Sequence, residues 1–193
     1  DAITYVALKI GHYPRNRVIG MAGILDSSRM ETFISEKLGF GYGQVTASVM
    51  GGHGDDMVPL PRYSSVNGVA LTDLLSELEI QEIIEKTRHG GAQIVGLMGT
   101  SAYYAPANAT VKMIEAILSD SRAIFPCAVL LDGEYGYQDT VNGVPVVLGA
   151  NGVEKIVELP LNLNEQHQFA RSVESVNRLL NVLRKDFFAK KVK

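Results

Sequence analysis

The sequence predicts an α+β fold, in which helices pack on a small and mainly antiparallel sheet. Three observations support this class. Several long segments repeat apolar residues at steps of three and four, as amphipathic helices do. The segment from 124 to 159 is rich in apolar strand-forming runs separated by turn residues. Asn-Gly pairs, a strong signal for the hairpins of antiparallel sheets, occur at three places.

Five helices are predicted from this spacing: residues 1–11, 25–39 and 71–88, a run after Gly91 that ends near 118, and 164 to about 188. Gly90-Gly91 is expected to break the third helix, and Pro106 to kink or restart the fourth. Asp26 or Ser27 is expected to cap the second helix, because a side-chain oxygen there can accept a hydrogen bond from a free backbone N–H.

Strands are predicted at residues 18–23, 44–50 and 57–61, with several more between 124 and 159. Turns are expected at the three Asn-Gly pairs: Asn67-Gly68, Asn142-Gly143 and Asn151-Gly152. Helices and strands of these lengths can pack together into one domain. The first residues fit that domain least well, because a helix followed by a lone strand resembles the end of another unit.

Composition excludes several classes of function. The net charge of −3 gives no basic surface for nucleic acid, and no apolar stretch approaches the roughly 20 residues that a membrane span needs. Neither nucleic acid nor a membrane is therefore expected as a partner. Cys127, the only cysteine, lies in an apolar run and is expected to be buried and inert, which excludes disulfides. The closing KKVK is expected to be a solvated tail.

The segment VMGGHGDDMVPL, residues 49–60, places an imidazole between glycines in a loop between two strand-like runs. Glycines tolerate positive φ and let other groups approach, so His53 would be held on a tight loop with one face open. Histidine also changes charge near neutral pH. Three interpretations are open on this evidence: a structural loop, a metal site built with Asp55 and Asp56, and a catalytic base.

A catalytic histidine needs a carboxylate to orient it, and Asp26 is a candidate, although on its position alone a simple helix cap is the stronger explanation. Arg29 follows three residues later, near the positive end of the helix dipole, where a cation is mildly unfavourable. This placement suggests that Arg29 binds an anion, since its planar fork can hold a carboxylate through two hydrogen bonds. Together with His53, such a set suits oxidation of a 2-hydroxy acid.

GMAGILDSSR (20–29), followed by VMGGHGDDMVPL, closely resembles the NAD-dependent lactate/malate dehydrogenase family, in particular its lactate-dehydrogenase-like malate dehydrogenases. LMGTSAYYAPA (97–107) and VPVVLGANGVEKIVELPLN (144–162) are similar to the same group. The resemblance implies that His53 is the catalytic acid/base, Asp26 its carboxylate partner and Arg29 the clamp on a substrate carboxylate. It also implies that Ser101 lines the pocket for substrate and nicotinamide.

The resemblance further implies that residues 1–22 are the remnant of an NAD-binding Rossmann domain and residues 23–193 the C-terminal catalytic domain. No cofactor-binding residue is assigned, because the glycine cluster at 39–43 is not a G-x-G-x-x-G and follows a helix. The implied reaction is oxidation of malate to oxaloacetate with NAD and without a metal, by a cytoplasmic homodimer or homotetramer. The chain alone is expected to be inactive. Two alternatives are a metal-dependent hydrolase using His53, Asp55 and Asp56, and a non-catalytic oligomerisation module.

Overall fold

The computed structural model describes residues 1–189; the KKVK segment at 190–193 lies outside them. The helices are α1 (Ala2–Gly11), α2 (Ala22–Leu38), α3 (Leu71–Leu74), α4 (Glu77–Met98), α5 (Tyr104–Leu118) and α6 (Leu163–Val182). The strands are β1 (Val45–Thr46), β2 (Val49–Gly51), β3 (Met57–Pro59), β4 (Ser65–Val66), β5 (Val69–Ala70), β6 (Ala123–Asp132), β7 (Gln138–Gly149) and β8 (Gly152–Ile156). A π-helical segment, Leu183–Phe188, continues α6.

The predicted α+β class is confirmed, with three small antiparallel sheets in place of one: β1-β4-β5, β2-β3 and β6-β7-β8. The main core lies between β6-β7 and the helices α2, α5 and α6. A second core joins α2 to α4 and the short strands. Helices pack on the apolar faces of these sheets, as expected for this class.

Two of the three predicted turns are confirmed. Asn67 and Gly68 join β4 to β5 with positive φ at both residues, 47° and 87°, which a two-residue hairpin turn of this kind requires. The turn before Gly152 joins β7 to β8.

The third predicted turn, at Asn142-Gly143, is wrong. Both residues lie in the middle of β7, where they pair with Val129 and Ala128 of β6. Glycine is needed in this strand because a Cβ on Gly143 would overlap the carbonyl oxygen of Gly51. The pair therefore marks a close approach of two backbones, and not a reversal of the chain.

The predicted strand at residues 18–23 and the predicted capping role of Asp26 are also wrong. Only a single bridge, between Gly20 and Ala128, pairs this segment with β6. The helix α2 begins at Ala22, three residues earlier than expected. Asp26 therefore lies in the second turn of α2, past the N-cap position, and its side chain can contact other parts of the protein.

The early start of α2 follows from its packing on β6. A Cβ on Gly23 would lie 2.5 Å from the carbonyl oxygen of Pro126, so only glycine allows the first turn to come this close. Tertiary packing outweighs the low helix propensity of glycine. At the other end, Gly39 closes the helix in the left-handed conformation, as predicted.

The predicted break at Gly90-Gly91 is wrong, because α4 runs through both residues to Met98. Glycine costs only about 1 kcal/mol in a helix interior, which the surrounding contacts outweigh. The side chain of Arg29 lies against this part of α4: a Cβ on Gly91 would be 3.4 Å from its Nη1. The predicted restart near Pro106 is confirmed, since α5 begins at Tyr104.

The long C-terminal helix is confirmed, and its first turn is strongly capped. The Asn162 side chain accepts from the Glu165 N–H at 2.9 Å, and Glu165 in turn accepts from the Asn162 N–H at 2.8 Å. Arg62, just after β3, donates two hydrogen bonds to Glu165 and lowers the pKa of that carboxyl. These contacts fix the position of α6 against the β2-β3 unit.

Two expectations about isolated features can be compared with the structure. Cys127 is fully buried in β6, as predicted, and burial raises the pKa of its thiol to about 12, which disfavours the reactive thiolate. The helix α1 packs through Tyr5 on a cluster that includes Val141 and Leu180.

The division of the chain at residue 22 stays a prediction. Along the described part of the chain, no helix is long and apolar enough to cross a membrane.

Candidate active site

The loop between β2 and β3 carries His53. The two strands pair from Val49↔Pro59 to Gly51↔Met57, so residues 52–56 form the connection. Gly51 and Gly54 have φ of 86° and 111°, values that residues with a side chain rarely adopt. The glycines predicted to shape this loop therefore do so, and they project His53 from the end of the hairpin.

Asp26 and His53, which are 27 positions apart in sequence, meet in the structure. The Nδ1 of His53 lies 2.8 Å from Oδ2 of Asp26. The Asp26 side chain is only 2% exposed, whereas that of His53 is 44% exposed. The second ring nitrogen, Nε2, makes no hydrogen bond to any residue among 1–189. One nitrogen of the ring is thus held by the protein, and the other is open.

The proton on the neutral imidazole is assigned to Nδ1. Asp26 also forms an ion pair with Arg29, whose Nη1 donates to Oδ1 at 3.1 Å, so Asp26 is a carboxylate and can only accept. Nδ1 must then donate, and Nε2 carries the lone pair. This tautomer makes Nε2 a proton acceptor.

Arg29 has unused hydrogen-bonding capacity at a buried position. Its side chain is 13% exposed, and Asp26 accepts a hydrogen bond from its Nη1 alone. The Nε is buried and has no partner within residues 1–189, and Nη2 makes no hydrogen bond there either. An unpartnered buried donor costs about 1–3 kcal/mol, so native structures rarely keep one without reason. Nε and Nη2 form one edge of the guanidinium, which matches the two oxygens of a carboxylate.

A cavity of about 290 Å³ adjoins Arg29, between α2, α4 and the start of α5. Its lining is mostly apolar, including Phe33, Ile94 and Ala105, and Arg29 is the only charged group among the described residues that line it. Gly90 also lines it, which gives the glycine pair of α4 a role: small residues leave space beside the guanidinium. An apolar pocket with one convergent charge suits a small organic anion.

The remaining predicted site residues are not brought into this cluster. Ser101 lies exposed between α4 and α5, and its side chain makes no hydrogen bond within the described residues. Asp55 and Asp56 line a separate cavity of about 300 Å³ with Arg88 and Arg171. Among residues 1–189, no three His, Cys, Asp or Glu side chains are grouped so that they could hold a metal ion. The metal-site interpretation of the loop therefore has no ligand set there.

Three residues outside the predicted site contact the His53 loop or the end of β2 that leads into it. Ser172 of α6 accepts from the Gly52 N–H at 2.7 Å, and Asp1 accepts from the His53 N–H at 2.9 Å. Gly143 lies against Gly51 from the side of β7. A serine on the otherwise apolar face of the last helix was the one available signal for Ser172.

The glycine cluster at 39–43 is not a phosphate loop for a dinucleotide. It follows α2 and leads into β1, whereas a phosphate loop must follow a strand and open a helix. A Cβ on Gly41 or Gly43 would meet no atom within 4 Å, so neither glycine is required by a close approach. Residues 1–189 thus hold a candidate proton acceptor and an anion clamp, without the phosphate loop of a nucleotide site.

An α+β domain with a carboxylate-oriented histidine and a buried arginine beside it is the arrangement expected of the substrate domain of a 2-hydroxy-acid dehydrogenase. The family model for the lactate/malate dehydrogenase α/β C-terminal domain matches residues 24–187, and the chain belongs to that family.

Similar proteins are named malate dehydrogenase. That of a Nitratiruptor species is 62% identical over 192 residues, covering 99% of this chain and 60% of that protein. That of Sulfurimonas denitrificans is 63% identical, covering 97% and 59%. The solved malate dehydrogenase from Salinibacter ruber matches with a TM-score of 0.93 at 49% identity, covering 96% of this chain and 61% of its own. The chain spans about 60% of the length of these relatives.

Proposed function

We propose that this chain supplies the catalytic part of an NAD-dependent malate dehydrogenase, which oxidises (S)-malate to oxaloacetate. The proposal implies a longer protein, called the full-length protein below, in which residues 1–22 end an NAD-binding domain and residues 23–193 form the catalytic domain. The names of the relatives support the substrate. The observation that carries the proposal is the free Nε–Nη2 edge of Arg29, beside an imidazole whose Nε2 is open.

In the proposed reaction, His53 removes the proton from the C2 hydroxyl of malate. Its Nε2 accepts that proton, and the O–H electron pair becomes part of the new carbonyl bond as the C2–H bond breaks. Asp26 stabilises the imidazolium that forms, because its carboxylate faces Nδ1 at 2.8 Å. Such general-base assistance contributes about 10²–10⁴-fold to rate. Bound NAD would supply the acceptor for the hydride from C2.

Arg29 would hold the C1 carboxylate of malate through Nε and Nη2. This contact satisfies the buried donor that the protein itself leaves without a partner. Because Arg29 and His53 both contact Asp26, the carboxylate and hydroxyl of one small molecule would be fixed relative to each other. Ser101 is proposed to line the pocket near the substrate and nicotinamide.

The full-length protein is proposed to be a cytoplasmic homodimer or homotetramer. Exposed apolar side chains on α4 and α5, among them Leu97, Ile114 and Leu118, support self-association. They are equally compatible with the alternative of a non-catalytic oligomerisation module. Loss of turnover on changing the site residues would separate the two, since a module without activity has no turnover to lose.

Replacing Arg29 by lysine tests the proposed clamp. Arg29→Lys keeps the charge but cannot offer two parallel donors, so kcat/KM for malate is expected to fall by about 10–100-fold, equivalent to one hydrogen bond to a charged group. Steady-state kinetics of the full-length protein measure this effect. Arg178→Lys, on the exposed face of α6, is the matched control and should leave kcat/KM unchanged. Equal kinetics for Arg29→Lys and Arg178→Lys would contradict the assignment.

A further inference from the structure

The loop that carries His53 has little internal restraint. Gly51 and Gly54 have positive φ, and Gly52 between them also lacks a side chain. Three glycines in four residues give the backbone access to many conformations, and ordering them costs more entropy than for other residues. The position of the imidazole therefore depends on contacts from outside the loop.

Ser172 makes one of these contacts. Its Oγ accepts the Gly52 N–H at 2.7 Å, and the residue is fully buried. Its neighbours on the same face of α6 are Phe169, Val173 and Val176, which are all buried apolar residues. A hydroxyl in such a stripe is costly unless it has a hydrogen-bond partner. Its partner is the backbone of the residue directly before His53.

The surroundings leave the loop little room to shift. A Cβ on Gly51 would lie 2.8 Å from Ser172 Oγ, and one on Gly52 would lie 2.9 Å from Val176 Cγ2. From the opposite side, Gly143 of β7 lies against the Gly51 carbonyl. The loop is thus held between β7 and α6, and the Ser172 hydroxyl supplies the directional contact on the α6 side.

We propose that Ser172 is a positioning residue for His53. By accepting the Gly52 N–H, it fixes the loop so that Nδ1 of the imidazole stays at the Asp26 carboxylate and Nε2 stays open. Asp1 adds a second tether through the His53 N–H. The link to catalysis rests on the proposed dehydrogenase function, whereas the geometric effect concerns this chain alone.

The geometric effect can be measured by NMR on the chain labelled with ¹⁵N-histidine. In the wild type, the Nδ1 proton held by Asp26 should give a protected signal and the ¹⁵N shifts of a single tautomer. Ser172→Ala leaves the Gly52 N–H without an acceptor, so the His53 signal should broaden and its ¹⁵N shifts move towards a mixture of tautomers. Ser172→Cys should do the same without leaving a cavity, because sulfur is a weak acceptor.

Ser64→Ala is the matched control. Ser64 is also buried, and its Oγ accepts the backbone N–H of Ser48, the residue just before β2, at 3.2 Å. Its loss should lower stability while leaving the His53 spectrum unchanged. A wild-type His53 spectrum in folded Ser172→Ala or Ser172→Cys would overturn the proposal, as would equal disturbance by Ser64→Ala.

Kinetics of the full-length protein test the link to catalysis. Ser172→Ala is expected to lower kcat about tenfold with little change in the KM for malate, because a displaced base costs rate while the Arg29 clamp is intact. Unchanged kcat alongside a disturbed His53 spectrum would contradict a role in catalysis. Failure of the wild-type protein to oxidise malate would contradict the proposed function, while the NMR result would still decide the geometric inference.

Discussion

Replacing His53 by glutamine in the full-length protein is expected to lower kcat for malate oxidation by about 10²–10⁴-fold, the usual contribution of a positioned general base. Glutamine keeps a polar side chain on the loop but cannot accept a proton at neutral pH. The KM for malate should change much less, because the proposed carboxylate clamp, Arg29, is on α2 and not on this loop. Steady-state rates at saturating NAD measure the effect.

His89→Gln provides the control for this change. His89 is exposed on α4 and its ring lies 3.6 Å from the Glu85 carboxylate, away from the candidate site, so its replacement should leave kcat unchanged. A His53→Gln protein with wild-type kcat would contradict the assignment of His53 as the base. An equal loss in both variants would show that the effect is not specific to the site.

Asp26→Asn is expected to cost about as much as loss of the base, on the order of 10²–10⁴-fold in kcat. The amide of asparagine can donate to Nδ1, which would move the imidazole proton to Nε2 and block its use as an acceptor. The change also removes the negative charge beside the imidazolium and turns the Asp26–Arg29 ion pair into a neutral hydrogen bond to Arg29 Nη1. The position of the imidazole proton is measured by ¹⁵N NMR, and the fall in kcat by steady-state kinetics.

Glu31→Gln separates this effect from a general change in α2. Glu31 lies one turn further along the same helix, is partly buried, and accepts the Ala47 N–H at 3.3 Å. Its replacement by glutamine should leave kcat near the wild-type value. If Asp26→Asn kept the wild-type tautomer and rate, the carboxylate would have no orienting role.

The residues of the candidate site could be predicted from the sequence, but the contact between Asp26 and His53 could not. Asp26 and Arg29 are three residues apart, and residues three apart on a helix share a face, so their ion pair follows from the spacing once the helix is known. The pairing of Asp26 with His53 depends on how α2 packs beside the β2-β3 hairpin. No local pattern contains that information: the residue types made Asp26 one candidate partner for His53, and the family resemblance implied the pair.

The errors in the predicted fold share a physical cause. Gly90-Gly91 and Asn142-Gly143 were interpreted by their local preferences, as a break and as a turn. In the structure both pairs mark close approaches, of Arg29 to α4 and of Gly51 to β7. At Gly143 a side chain would overlap the Gly51 carbonyl, whereas at Gly90 and Gly91 a Cβ would only touch Phe33 and Arg29. In both places the surrounding packing outweighs the local preference. The Asn67-Gly68 turn was predictable because an exposed hairpin has no such competing contact.

The partial match in length makes one measurement especially informative: malate-dependent formation of NADH by the full-length protein, with the chain 1–193 assayed alone under the same conditions. The full-length protein is predicted to form NADH in proportion to the malate consumed. The chain alone is predicted to form none, because its described residues hold the proposed proton acceptor and the proposed carboxylate clamp without a phosphate loop for the dinucleotide. NADH formation by the purified chain alone, or none by the full-length protein, would contradict the account.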